Sequence, residues 1–85
     1  MSEVETSGAL KRLRWRCRRG TRELDVLLSG WLDEHVQADA RTLAAFDAML
    51  DEPDPLIWDW LMACERAPRA DWQEIVDAIR TRHRL

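Results

Sequence analysis

The sequence has no Tyr and a single Phe among 85 residues, against five Trp, so nearly all of its aromatic surface is indole. Gly and Pro are scarce at three each, which leaves few places where a helix must break. Nothing alternates with period two over a strand's length, so no sheet is expected. The apolar runs are far too short to span a bilayer, and no membrane insertion is expected. Residues 1–7 carry Glu3 and Glu5 and no hydrophobic stretch, unlike a signal or transit peptide. A cytoplasmic, bacterial location is the expectation. Cys17 and Cys64 have neither CxxC nor metal-ligand spacing; both fall on helical patterns and are expected to be buried as small hydrophobes. His35 and His83 lack a Cys or His neighbour at ligand spacing, so no metal site is expected. No carboxylate pairs with a His or Cys in a recognisable catalytic spacing, which argues against an independent enzyme.

What is present is a globular composition, 46% apolar and 34% charged. A chain of this size makes one domain, burying about 60% of its unfolded surface. That gives one modest core and no deep substrate cavity. The net charge of −3 is unevenly spread. Residues 1–22 hold seven Lys or Arg against two acids, and residues 23–65 hold one against eleven. Such a dipole marks a docking or soluble surface and says little about fold.

Helical periodicity organises nearly the whole chain. After a disordered tail over residues 1–7, a domain over 8–85 is expected as an all-α, compact bundle of five short helices. The first spans about 8–18 with Leu10, Leu13 and Cys17 inward. Trp15 lies on the opposite side of that wheel, among Arg12, Arg16 and Arg19. The second, about 22–35, carries a broad stripe of Leu24, Leu27, Leu28, Trp31 and Leu32. Asp39 is a reasonable N-cap for a third helix of about 40–51, buried through Leu43, Phe46, Met49 and Leu50. Asp54 is expected to cap a fourth helix of about 55–64, with Pro55 at its first position. Leu56, Ile57, Trp60 and Leu61 face inward there, and Trp58 lies on a different face. Asp71 is expected to cap a fifth helix of about 72–82 with Trp72, Ile75, Val76 and Ile79 inward. Most Trp residues are then core; Trp15 and Trp58 stand apart as candidate surface anchors.

The most distinctive stretch is Arg18-Arg19-Gly20-Thr21-Arg22-Glu23-Leu24-Asp25. Ordinary helix-boundary chemistry accounts for much of it. Arg16, Arg18 and Arg19 suit the negative end of the first helix. Gly20 is placed to end that helix in the left-handed conformation. Thr21 is an N-cap for the second helix, with Glu23 near its positive end.

Arg19-Gly20-x-x-Glu23, preceded by Trp15-Arg16-Cys17-Arg18 and followed by Leu24-Asp25, resembles the signature of the succinate dehydrogenase assembly factor family, the flavinators. Leu50, Pro53, Asp54 and Trp58-Asp59-Trp60-Leu61-Met62 are similar to that family's second block. The likeness covers about residues 9–82. Ala63 departs from it where a Gly is common, and Leu56 where an acid is common. No Tyr stands in or after the second helix, where the family often has one.

The resemblance implies a binding protein that assists covalent attachment of FAD to a histidine of the flavoprotein subunit of succinate dehydrogenase, fumarate reductase or both. It implies no cofactor of the chain's own, since the FAD is bound by the partner. The resemblance further implies that the helper holds the partner's capping domain and active site so that the flavin 8α-methyl and the histidine meet, which is catalysis by orientation. The expected contact centre is Arg19, Gly20 and Glu23, with Trp15, Arg18 and Asp25 around it. Arg19 can fork onto a carboxylate or flavin-side oxygen; Gly20 allows close backbone approach; Glu23 can pair with a partner cation or hold Arg19. Glu23→Gln or Arg19→Lys is then expected to impair flavinylation with the fold and melting temperature kept.

Two other classes compete. A generic helical docking module would share the basic first helix and Trp15 without preferring a flavoprotein. Nucleic-acid binding would use Lys11, Arg12, Arg14, Arg16, Arg18, Arg19 and Arg22, against the acidic net charge and the carboxylates just downstream. The free protein is expected to be a monomer that binds no nucleic acid.

Overall fold

Helical spacing and capping chemistry fix most of the elements. A computed structural model describes the backbone of residues 3–85 and the side chains of residues 8–85. It contains α1 (Glu3–Arg16), α2 (Arg22–Glu34), α3 (Ala40–Met49), α4 (Asp54–Leu61) and α5 (Ala70–His83), and no strand among the described residues. Helix α1 starts earlier than residue 8 and ends at Arg16, two residues short of the expected 18. Of the expected tail, Met1 and Ser2 lie outside the described residues.

The caps explain the other boundaries. Thr21 caps α2 by accepting the Leu24 N–H at 3.3 Å, and Asp39 caps α3 through the Thr42 N–H at 2.8 Å. His35 closes α2, its N–H reaching the Leu32 carbonyl at 3.0 Å. Asp54 and Asp71 are not the caps expected of them. Pro53 takes the cap position of α4 and Arg69 that of α5, neither with a side-chain bond. Both acids sit inside the first turn because their carboxylates are claimed elsewhere, Asp54 by Arg19 and Gly20 and Asp71 by Arg69.

Helix α5 packs against α2, α3 and α4, while α1 lies on α2. Leu24, Leu28, Leu32, Phe46, Met49, Ile57, Leu61, Val76 and Ile79 are fully enclosed. Burying each such side chain contributes about 1.5–3 kcal/mol, which is why these short helices hold together only jointly. Trp31 stacks on Phe46 at 4.4 Å between ring centroids, and Trp60 packs on Trp72 at 5.8 Å. Trp15 and Trp58 face outward.

Three expectations about packing fail. Leu56 is exposed, because Ile57, Trp60 and Leu61 complete the stripe and Leu56 sits one position ahead of it. Cys64 is exposed while Cys17 is fully buried. The cause lies at the end of α4: the Ala63 N–H bonds the Trp60 carbonyl at 3.2 Å and the Cys64 N–H bonds the Asp59 carbonyl at 2.8 Å. This is a Schellman closure, and Ala63 supplies its left-handed residue at φ 60°. The chain therefore leaves the helix before Cys64 can join the stripe. Burial pushes the Cys17 thiol up to about 11, so it stays protonated at neutral pH. Third, Leu10 and Leu43 pack against the core only partly buried.

Candidate functional site

The turn between α1 and α2 is anchored from below by Cys17, whose N–H bonds the Leu13 carbonyl at 3.0 Å. The Arg18 N–H closes on the Trp15 carbonyl at 3.0 Å. The Arg19 N–H then donates to the Asp25 carboxylate, tying the turn forward to α2. With Thr21 capping α2, the backbone from Cys17 to Thr21 has little freedom left.

The Arg19 side chain points inward, with 13% of its surface exposed. Its Nε donates to Asp54 Oδ1 at 2.6 Å, Nη1 to the Leu50 carbonyl at 2.8 Å and Nη2 to the Glu52 carbonyl at 2.7 Å. A weaker bond runs from Nη1 to the Arg16 carbonyl at 3.4 Å. The planar fork thus clasps the connection between α3 and α4, which a point-charge ammonium cannot copy. Arg16 strengthens the same seam through ion pairs to Asp47 and Asp51.

Gly20 does not end α1 in the left-handed conformation, since no described glycine has positive φ. Its N–H donates to Asp54 Oδ2 at 2.9 Å, and a Cβ there would stand 3.2 Å from that oxygen. A glycine suits this position because the carboxylate approaches so closely. The Gly20 N–H and then the Arg19 guanidinium hold the Asp54 carboxyl below the usual carboxylate range. The structure therefore joins the Arg-Gly motif to the Leu50–Asp54 segment, about thirty positions on, through one carboxylate and two carbonyls.

The six site residues expected from sequence divide into two groups. Arg19, Gly20 and Asp25 build and lock the turn. Trp15, Arg18 and Glu23 are exposed around it. Trp15 is 68% exposed, and the Arg18 guanidinium lies 5.0 Å over its ring. Lys11 and Arg14 complete a shallow basic surface there. Arg14 is paired with Asp33, so the acidic middle of the chain offsets part of the basic helix. The Glu23 side chain makes no bond to Arg19, nor to any other described residue; it borders a cleft of about 410 Å³ with Thr21, Leu24, Asp54, Pro55 and Trp58. Among the described residues no cluster of three His, Cys, Asp or Glu could hold a metal, and no helix is long and apolar enough to cross a membrane.

Sequence reasoning placed Asp54 as a cap and in the family's second block, without a link to Arg19 or Gly20, and overlooked Val26. The signal for Val26 was present, because it falls off the α2 core stripe while lying one turn from Glu23. No local signal pairs Asp54 with Arg19, since they are 35 positions apart.

A family model described as flavinator of succinate dehydrogenase matches residues 11–83, which include all six site residues and Asp54. The chain is 36% identical over 72 residues to the FAD assembly factor SdhE of Coxiella burnetii (strain RSA 493 / Nine Mile phase I), covering 84% of this chain and 88% of that protein. To the FAD assembly factor SdhE of Legionella pneumophila (strain Paris) it is 41% identical over 70 residues, 81% of this chain and 87% of that one. With the protein of the same description from Xylella fastidiosa (strain 9a5c), identity is 39% over 78 residues, 91% and 80% of the two chains. No solved structure matches the chain at a significant level.

Proposed function

This chain belongs to the flavinator of succinate dehydrogenase family, and from that premise we propose that it binds the flavoprotein subunit of succinate dehydrogenase and promotes covalent attachment of FAD to a histidine of that subunit. The observation that carries the reading is the family match running through both halves of the Arg19–Asp54 clasp. The protein acts as an assembly factor and not as an enzyme in its own right. Flavin and histidine both belong to the partner, and the helper contributes orientation, which lowers a barrier without a reacting side chain of its own.

In this reading Trp15, Arg18 and Glu23 meet the partner. Arg19, Gly20 and Asp25 are positioning residues that hold the turn from which those side chains project. Gly20 also leaves the turn open to close approach, having no Cβ. The flavoprotein of fumarate reductase is a second client of the same chemistry, and the free protein works as a monomer in the bacterial cytoplasm.

Coexpression of the cognate succinate dehydrogenase flavoprotein with and without this chain tests the assignment, reading covalent flavin by in-gel fluorescence after denaturation. Fluorescence that rises with the chain and falls with Glu23→Gln, at an unchanged melting temperature, is the expected result. Equal fluorescence in both lanes with FAD abundant, and no complex on a sizing column, refutes it.

A further inference from the structure

Two adjoining clefts meet at Glu23 and Trp58. The first, of about 410 Å³, runs from Thr21 and Leu24 to Asp54 and Pro55. The second, of about 510 Å³, continues past Val26 and Met62 to Leu85. Val26 is 55% exposed, Leu85 44% and Trp58 36%, so three large apolar side chains border one groove. Exposed apolar surface gathered in this way marks an interaction site more often than scattered single residues do.

The polar groups sharpen what the groove accepts. Two carboxylates and no cation line the first cleft. Asp54 is already held by Arg19 and Gly20. The Glu23 side chain has no partner among the described residues, and the basic residues Arg22 and His83 border only the second cleft. An unpaired carboxylate thus stands at the lip of an apolar slot walled by an indole. A complementary side chain is apolar along its stem and cationic at its tip. A guanidinium fits better than an ammonium, because it stacks flat on an indole and forks onto a carboxylate.

We propose that this groove receives an arginine side chain projecting from the flavoprotein partner, its guanidinium stacked on Trp58 and paired with Glu23, while neighbouring apolar residues of the same segment cover Val26 and Leu85. The proposal rests on the flavoprotein subunit being the client. It makes Trp58 a partner-binding residue and gives Glu23 a specific counter-charge.

The test is calorimetric titration of the purified FAD-loaded flavoprotein subunit with the full chain, using wild type, Trp58→Ala, Glu23→Gln, their double variant and Val26→Lys. Each single change is expected to weaken binding by about tenfold or more. The double variant is expected to lose less than the product of the two, because both residues hold one guanidinium. Val26→Lys puts a like charge and a polar tip on an exposed wall position, so its melting temperature stays near wild type and it keeps the groove testable even if Trp58→Ala loosens the fold. Wild-type binding in Val26→Lys and Glu23→Gln overturns the groove. Weakening by Trp58→Ala without weakening by Glu23→Gln overturns the arginine, leaving an apolar occupant. If the wild-type chain neither binds the subunit nor raises covalent flavin, the assembly-factor reading itself falls. Binding by wild type that the variants match removes only the groove.

Discussion

Arg19→Lys keeps the charge and removes the fork, so it separates the clasp from direct partner contact. The guanidinium makes three short bonds, to Asp54, Leu50 and Glu52, from a side chain that is 13% exposed. A lysine ammonium at the end of a different stem keeps the Asp54 ion pair or one carbonyl, and leaves two acceptors short. At about 1–1.5 kcal/mol for each lost bond the change costs about 2–3 kcal/mol. For a domain of this size that lowers the melting temperature by about 10–20 °C. Thermal denaturation followed by circular dichroism at 222 nm, the standard helix wavelength, reads the shift, with flavinylation measured in parallel well below both midpoints. The expected pattern is a large loss of stability and a flavinylation defect that shrinks as the assay is cooled. Unchanged melting with flavinylation abolished at every temperature would refute the clasp and return Arg19 to the contact surface. The sequence alone predicts unchanged stability for this substitution; the inward fork is the physical reason to expect otherwise.

Two further outcomes follow from the same geometry. Ala63→Gly should stabilise the fold: the left-handed backbone at Ala63 costs a residue with Cβ about 1–2 kcal/mol, against about 0.4–1 kcal/mol of extra unfolded-chain entropy for Gly. A rise of about 3–6 °C in melting temperature is expected, and a fall would contradict the strain assigned to Ala63. Asp54→Asn should flatten the acid side of the stability profile. Because the folded carboxyl sits below its ordinary value through Gly20 and Arg19, its contribution is present above about pH 4 and is lost as pH falls through the folded value. Asp39 and Asp71 are lowered as well, so melting temperatures between about pH 6 and pH 2 should decline less steeply in the variant without becoming flat. An identical slope would place the linkage elsewhere.

Much of the fold was legible because it depends on local rules. The stripe Leu24, Leu27, Leu28, Trp31 and Leu32 announces a core-facing helix by spacing alone, and Thr21 and Asp39 announce their helix starts by capping chemistry. Errors gathered where a side chain had a distant partner. Asp54 reads as a cap until Arg19 and Gly20 are brought to it, and Gly20 reads as a left-handed terminator until that carboxylate closes on its N–H. Cys64 reads as buried only while α4 is extended past Leu61.

Local pattern suffices for an all-α arrangement of five short helices, for which indoles stay outside the core, and for the family likeness carried by Arg19-Gly20-x-x-Glu23 and the Leu50–Met62 block. Periodicity, caps and motif spacing are properties of neighbours along the chain. Only packing across the helices turns Arg19 inward to clasp the α3–α4 connection, leaves Glu23 beside Trp58 without a partner among the described residues, and lets Val26 and Leu85 extend one groove. Those outcomes depend on which distant groups meet across packed helices, and pairings between residues more than thirty positions apart leave no trace in local pattern.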